Sequence, residues 1–198
     1  MARWDVLFEL ITDGPSSQAL TTRLAAYRDA REAPPMAPPE SPPQSQSPVT
    51  IVPDADVLAA DLFGVGAARK ALDPFRSHQW LQVYSSPVIL SDADALISYF
   101  GDELLASAWK HRARDWVHLE NHHEDDHPAL ACAYRSGAQH ILSLDQQLLS
   151  AGAGAHLGRK LSISVREPEA FANLFEPASF YALVHDDEYC GPDSNPHD

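Results

Sequence analysis

Four aspartates stand where the chain passes between strand-like and helix-like segments: Asp54, Asp92, Asp126 and Asp145. Asp54 follows the apolar run Val49–Val52 and Pro53, and Asp145 closes the run His140–Leu144. Asp126 is in a capping position for the Ala-rich helix expected over Pro128–Ser136, which has Pro128 in its first turn and is stopped by Gly137. Asp92 opens a helical stretch that ends at Phe100 and comes after the strand candidate Trp80–Tyr84. Open parallel sheets bind ligands beyond the carboxyl ends of their strands, so acids at these four places fall near one edge. Carboxylates gathered there repel, and hard divalent cations such as Mg2+ neutralise them through carboxylate oxygens and water. Taken singly, each acid is also an ordinary helix cap or solvated loop residue. The shared topological place of all four is what points to a metal site.

The elements that must position these acids are legible from periodicity. Asp56–Arg76 reads as helix interrupted by Gly64-Val-Gly66, and Glu103–Arg114 as an amphipathic helix with Leu104, Leu105 and Trp109 on its apolar face. Val117–Leu119 and Leu161–Val165 read as strands and Ala170–Phe175 as a closing helix. Strands alternating with helices imply a three-layer α/β/α sandwich around a mostly parallel sheet.

Residues 49–184 form the expected domain. Before it, the seven prolines between 34 and 48 mark an extended linker, and residues 1–48 read as an N-terminal extension. Trp4, Leu7, Phe8 and Ile11, then Leu20, Leu24 and Tyr27, recur at helical spacing there, too few for a core of their own, which leaves docking on the domain, docking on a partner or a mis-called gene start. Residues 185–198, with five acids and no base, read as a disordered acidic tail.

Composition narrows the class. No apolar run approaches the ~20 residues of a membrane span, and the first residues lack a signal-peptide pattern, which points to a cytoplasmic protein. The two cysteines make no disulfide framework, and Cys132, in its alanine-rich stretch, reads as a core residue. The net charge of −14, with only three lysines (Lys70, Lys110, Lys160), suggests a salt-adapted, halophilic protein. Such a surface disfavours tight nucleic-acid binding at low salt, an objection that screening removes near 1 M, where the Debye length is about 3 Å. His118 with His122, and His123 with His127, have metal-ligand spacing but sit among polar residues and read as a solvated rim. Arg69-Lys70 and Lys110, Arg112 and Arg114 are candidates for phosphate contact, or for exposed helix faces.

The motifs themselves resemble those of the PIN-domain nucleases. Val52-Pro-Asp-Ala-Asp-Val-Leu58 is similar to the opening of that family, a hydrophobic strand running into Asp-Thr-Asn/Ser, with Asp56 where Asn or Ser is common. Ser86-Pro-Val-Ile-Leu-Ser-Asp92-Ala-Asp94 resembles its Ser-Pro-x-Leu-Leu-x-Glu stretch, with Asp92 at the Glu and Asp94 as the other choice. The run from Asp126 to Ala138 resembles the third motif, and His140 to Leu149 the fourth, where Ser143 stands for Thr in Thr-Gly-Asp. The resemblance leaves out both termini. It implies a cytoplasmic ribonuclease with Asp54, Asp92, Asp126 and Asp145 as catalytic metal ligands and Asp56, Asp94 and Ser143 in secondary places. The cofactor would be Mg2+ or Mn2+, activating water for attack on an RNA phosphodiester to leave 5′-phosphate and 3′-hydroxyl ends. RNA is the implied substrate, in either a toxin–antitoxin or an RNA-processing role, with an antitoxin, another protein or a second copy as partner. A PIN-like RNA- or protein-binding module with little catalysis is the alternative, as is an interaction domain that recruits partners through its Pro-rich arm and acidic tail.

Overall fold

The computed structural model describes residues 3–31, 49–122, 127–150 and 163–198. Its sheet is built from β1 (Val49–Pro53), β2 (Leu81–Ser85), β3 (His118–Leu119), β4 (His140–Leu142) and β5 (Ser164–Arg166). The order is β3-β2-β1-β4-β5, and every pairing is parallel. β1 is central and all five of its residues are buried, as expected of a strand covered on both faces. Ile51 is in register with Val83 on one side and with His140 on the other. From β1 the chain moves outward through β2 to β3 and then returns to the opposite side for β4. This reversal falls between β1 and β4, and the carboxyl ends of strands at such a reversal are where these sheets bind ligands.

Helices α1 (Trp4–Glu9), α2 (Ser17–Asp29), α3 (Ala55–Phe63), α4 (Ala68–Ser77), α5 (Pro87–Phe100), α6 (Glu103–Trp116), α7 (Pro128–Ser136), α8 (Gln146–Leu149), α9 (Pro168–Leu174) and α10 (Pro177–Val184) complete the expected three-layer α/β/α sandwich. The interruption expected at Gly64-Val-Gly66 is real. Gly64 and Gly66 take φ of 67° and 58°, a region that side chains disfavour, and so end α3 before α4 begins. One boundary differs in a way that matters for the site. The second acidic helix starts at Pro87, not at Asp92, because Ser86 caps it by accepting a hydrogen bond from the Ile89 N–H at 3.1 Å. Asp92 therefore projects from the second turn of α5.

Of the alternatives for the N-terminal stretches, docking on the domain is the one found, and it moves the boundary expected at residue 49. Trp4, Leu7, Leu20 and Leu24 are buried in the same apolar core as Ile51 and Val52, so α1 and α2 are structural members of the domain. α1 packs on α6 and α3, and α2 on α3 and α5. Their apolar residues are too few for a separate core because they complete a shared one. The tail is likewise engaged rather than disordered: Asp193 N–H donates to the Ser77 carbonyl at 2.8 Å, and Asp5 N–H to the His197 carbonyl at 3.0 Å. Gln79 N–H donates to the Asp193 carboxylate at 2.8 Å, so an acid of the tail serves as a backbone acceptor. The Pro-rich stretch 34–48 lies outside the described residues. The strand expected over Leu161–Val165 is found at Ser164–Arg166, and residues 161–162 also lie outside the described residues.

A buried ion pair ties α1 to this body. Arg76 and Asp61 are both almost fully buried and directly bonded, and Asp73 adds a second carboxylate 3.0 Å from Arg76. The Arg76 guanidinium lies 4.6 Å from the ring centroids of both Trp4 and Trp116. Burial pushes the Asp61 carboxyl upward, with Arg76 opposing it. Aromatic faces on the guanidinium replace part of its lost hydration.

Candidate metal centre

Asp54, the first residue beyond β1, caps α3: its Oδ1 accepts from the Ala55 N–H at 2.8 Å, and its own N–H donates to the Leu142 carbonyl of β4 at 2.8 Å. The carboxylate is thereby fixed at the carboxyl ends of β1 and β4. Asp92 reaches the same place from α5, and both acids are completely buried. One side chain joins them. Arg28, in the last turn of α2, donates from Nη2 to Asp54 Oδ1 at 2.6 Å and from Nη1 to Asp54 Oδ2 at 3.2 Å. Its Nε donates to Asp92 Oδ2 at 2.9 Å, and Arg31 bonds the other oxygen of Asp92. Burial works to raise the Asp54 carboxyl, but the Arg28 charge and hydrogen bonds override it and hold it below the usual carboxylate range.

Asp56, one residue inside α3, is the frustrated member. Its Oδ2 accepts from the Leu144 N–H at 3.1 Å, while its Oδ1 has no hydrogen-bond partner among the described residues. Burial, and then the Asp54 charge, push its carboxyl well above the usual range. Asp145 caps the short helix α8 by accepting from the Gln147 N–H at 2.8 Å. Ser143 is buried and accepts from the Asp145 N–H at 3.0 Å, which orients the turn that carries the acid. Asp126 lies outside the described residues, as does its expected capping role; the N-cap of α7 is His127.

The donor chemistry suits a hard cation: buried carboxylates on α5 and at the start of α3, a positive group already seated between them, and a spare buried oxygen on Asp56. Among the described residues no three His, Cys, Asp or Glu side chains are gathered tightly enough to ligate one ion.

The model of a family of unknown function, DUF7384, matches residues 45–197. The chain belongs to that family. No curated protein and no solved structure matches it. The DUF7384 span runs from just before β1 through the tail, so it holds Asp54, Asp56, Asp92 and Asp145 but leaves α1 and α2, with Arg28 and Arg31, outside.

Within the DUF7384 span Asp92 and Asp94 have different partners: Asp92 meets Arg28 and Arg31. Asp94 pairs with Lys110 at 2.8 Å, both side chains partly exposed. Such a pair contributes about 0–1 kcal/mol. Asp94→Asn is therefore expected to leave both the melting temperature and any Mn2+ response close to wild type, as read by thermal denaturation with and without Mn2+. A lost metal response would return Asp94 to the site.

Sequence reasoning missed Arg28 and Arg31 and undervalued His127. Instead of lying on a solvated rim, the His127 ring stands with Nε2 3.3 Å from Arg28 Nη1 and 3.9 Å from Asp54 Oδ2. A guanidinium only donates, so Nε2 accepts and the neutral ring carries its proton on Nδ1, which has no partner among the described residues. Burial, with Arg28 adding to it, lowers the His127 pKa against the pull of Asp54 and Asp145. His122 Nε2 lies 2.8 Å from Ser86 Oγ. Four of the basic residues considered for phosphate contact have internal partners. Arg69 donates to the Asp61 and Leu62 carbonyls, Lys70 to Asn173, Lys110 to Asp94 and Arg112 to the Asp198 backbone carbonyl. Cys132 is fully buried and its thiol is pushed strongly upward by burial, as befits a core residue.

Proposed function

We propose that the chain is a cytoplasmic, metal-dependent endoribonuclease of PIN type, cutting RNA through an acidic Mg2+ or Mn2+ site. The observation that carries this reading is the meeting of two fully buried carboxylates, Asp54 and Asp92, on one cationic group at the sheet's topological switch point. The motif resemblance at Asp54, Asp92, Asp126 and Asp145 supports it. On that resemblance Asp54 and Asp92 would hold the ion, with Asp145 and the fourth acid, Asp126, reaching it directly or through water. When bound, the metal supplies Lewis-acid activation of water for phosphodiester hydrolysis. The chain's own work is to fix these acids: the Ala55 N–H orients Asp54, the Ser86 cap sets the start of α5, and Ser143 holds the turn at Asp145. His127, whose neutral ring stands beside Asp54, would accept a proton on Nε2 once Arg28 no longer donates to that nitrogen.

Arg28 and Arg31 favour a second reading, a PIN-like RNA- or protein-binding module with little catalysis, because they already neutralise the acids a metal requires. Incubation of the full chain with a mixed RNA pool in high salt separates the two. Cleavage that depends on Mn2+ and leaves 5′-phosphate ends is the expected result. RNA retained intact on the protein, with no cleavage at any Mn2+ concentration, favours the binding module. Whether the setting is toxin–antitoxin or RNA processing follows from which RNAs are cut.

A further inference from the structure

Among the described residues there are two buried arginine–aspartate assemblies, and they are built differently. Arg76 is sealed: its side chain is 1% exposed and lies against Trp4 and Trp116. Arg28 and Arg31 retain 17% and 24% exposure, while their partners Asp54 and Asp92 have none. Arg28 lies in the last turn of α2 and Arg31 just past the C-cap Ala30, whereas the residues that anchor the helix, Leu20 and Leu24, lie earlier and are buried. A helix end can fray while its body remains docked. Beneath the two guanidinium groups the acids are left incompletely served, because Asp56 Oδ1 is a fully buried acceptor with no partner among the described residues. Two fork-shaped cations reach Asp54 and Asp92 but do not satisfy this third carboxylate, which a compact ion with exchangeable waters can do.

We propose that the carboxyl end of α2 is a built-in competitor for the divalent cation: Arg28 and Arg31 close the Asp54–Asp92 pair, and a metal ion binds as these two side chains withdraw. The inference rests on the metal-site reading above. Charge balances in the exchange, since two guanidinium charges leave the two carboxylates and one divalent ion replaces them. The body of α2 stays in place, held by Leu20 and Leu24 and by Arg23, whose guanidinium lies 4.1 Å from the Tyr99 ring centroid. Metal affinity is then lowered by the fraction of molecules in which the arginines are withdrawn, so removing an arginine raises it.

The test uses the full chain and Mn2+ or Mg2+ alone, without RNA. Titration calorimetry compares Mn2+ binding to wild type, Arg28→Gln and Arg31→Gln, and hydrogen exchange follows the α2 amides of wild type with and without Mg2+. The expected results are an Mn2+ affinity raised roughly tenfold or more in Arg28→Gln and by less in Arg31→Gln, and faster exchange at residues 28–31 when Mg2+ binds. Should Arg28→Gln fail to fold, Arg31→Gln and the wild-type exchange pattern decide the matter in the same way. Equal Mn2+ affinity in all folded proteins, with α2 exchange unchanged on binding, overturns the competitor while leaving the metal site intact. Absence of Mn2+ binding in every protein overturns the metal site itself, and the competitor with it.

Discussion

Removing residues 1–31 is expected to unfold the protein rather than trim it to a working domain. Trp4, Leu7, Leu20 and Leu24 are buried, and large apolar side chains contribute about 1.5–3 kcal/mol each on burial. Four of them amount to about 6–12 kcal/mol, set against a total stability of about 5–15 kcal/mol for a typical domain. The deletion also uncovers Arg76 where Trp4 covers it, and strips both arginines from Asp54 and Asp92. Uncompensated buried charge costs about 3–5 kcal/mol when one partner of such a pair is removed. Circular dichroism melts of residues 32–198 against the full chain give the answer. A truncated chain that melts within about 5 °C of the full one, equivalent to about 1–2 kcal/mol, means that α1 and α2 only decorate a self-sufficient core.

The weight carried by the N-terminal helices shows where sequence reading reaches and where it stops. The run Val49–Val52, the stop at Gly137 and the acid after His140–Leu144 are legible because each rests on local rules: buried-strand apolarity, a left-handed C-cap and chain order. Asp54 and Asp145 follow from those. The helical spacing of Leu20 and Leu24 is legible too, but which surface they dock on is a tertiary property. Arg28 gives no local signal, since a base in the last turn of a helix is the ordinary complement of the helix dipole. Its partners are 26 and 64 residues away in sequence. The one available hint is the Arg28–Arg31 spacing, three apart at the end of an amphipathic stretch in a chain with few bases. The start of α5 is hard to place because Asp92, a good N-cap type, masks the stronger Ser86-Pro87 signal upstream.

Asp54→Asn and Asp56→Asn are expected to move stability in opposite directions, although the two acids are near neighbours. Asp54 is held below its ordinary range by Arg28, so its charge favours the folded state at all pH above the unfolded value of about 3.9, and that contribution is lost as pH falls through the folded value. Asn at 54 forfeits it, and also leaves one face of Arg28 without its anion, at a cost of about 3–5 kcal/mol near neutral pH that shrinks in acid. Asp56 is the reverse case. Burial and the Asp54 charge raise its folded value, so the protonated form favours folding below about pH 4, and this is lost as pH rises through the folded value. Every tenfold rise in proton affinity costs about 1.4 kcal/mol once the group must ionise. Asn at 56 keeps an oxygen for the Leu144 N–H, places an amide where Oδ1 lacks a partner, and removes the charge beside Asp54. Its melting temperature is expected to exceed wild type, by a margin that grows from acid toward neutral pH. Activity separates them as well: Asp54→Asn loses Mn2+-dependent RNA cleavage by orders of magnitude if Asp54 holds the ion, because metal-assisted hydrolysis depends on that charge. Urea denaturation of both variants across roughly pH 4 to 8, the window in which stability usually peaks, reads the two slopes directly. Parallel slopes, or an Asp56→Asn protein less stable than wild type at neutral pH, overturn the reading that ionising Asp56 opposes folding.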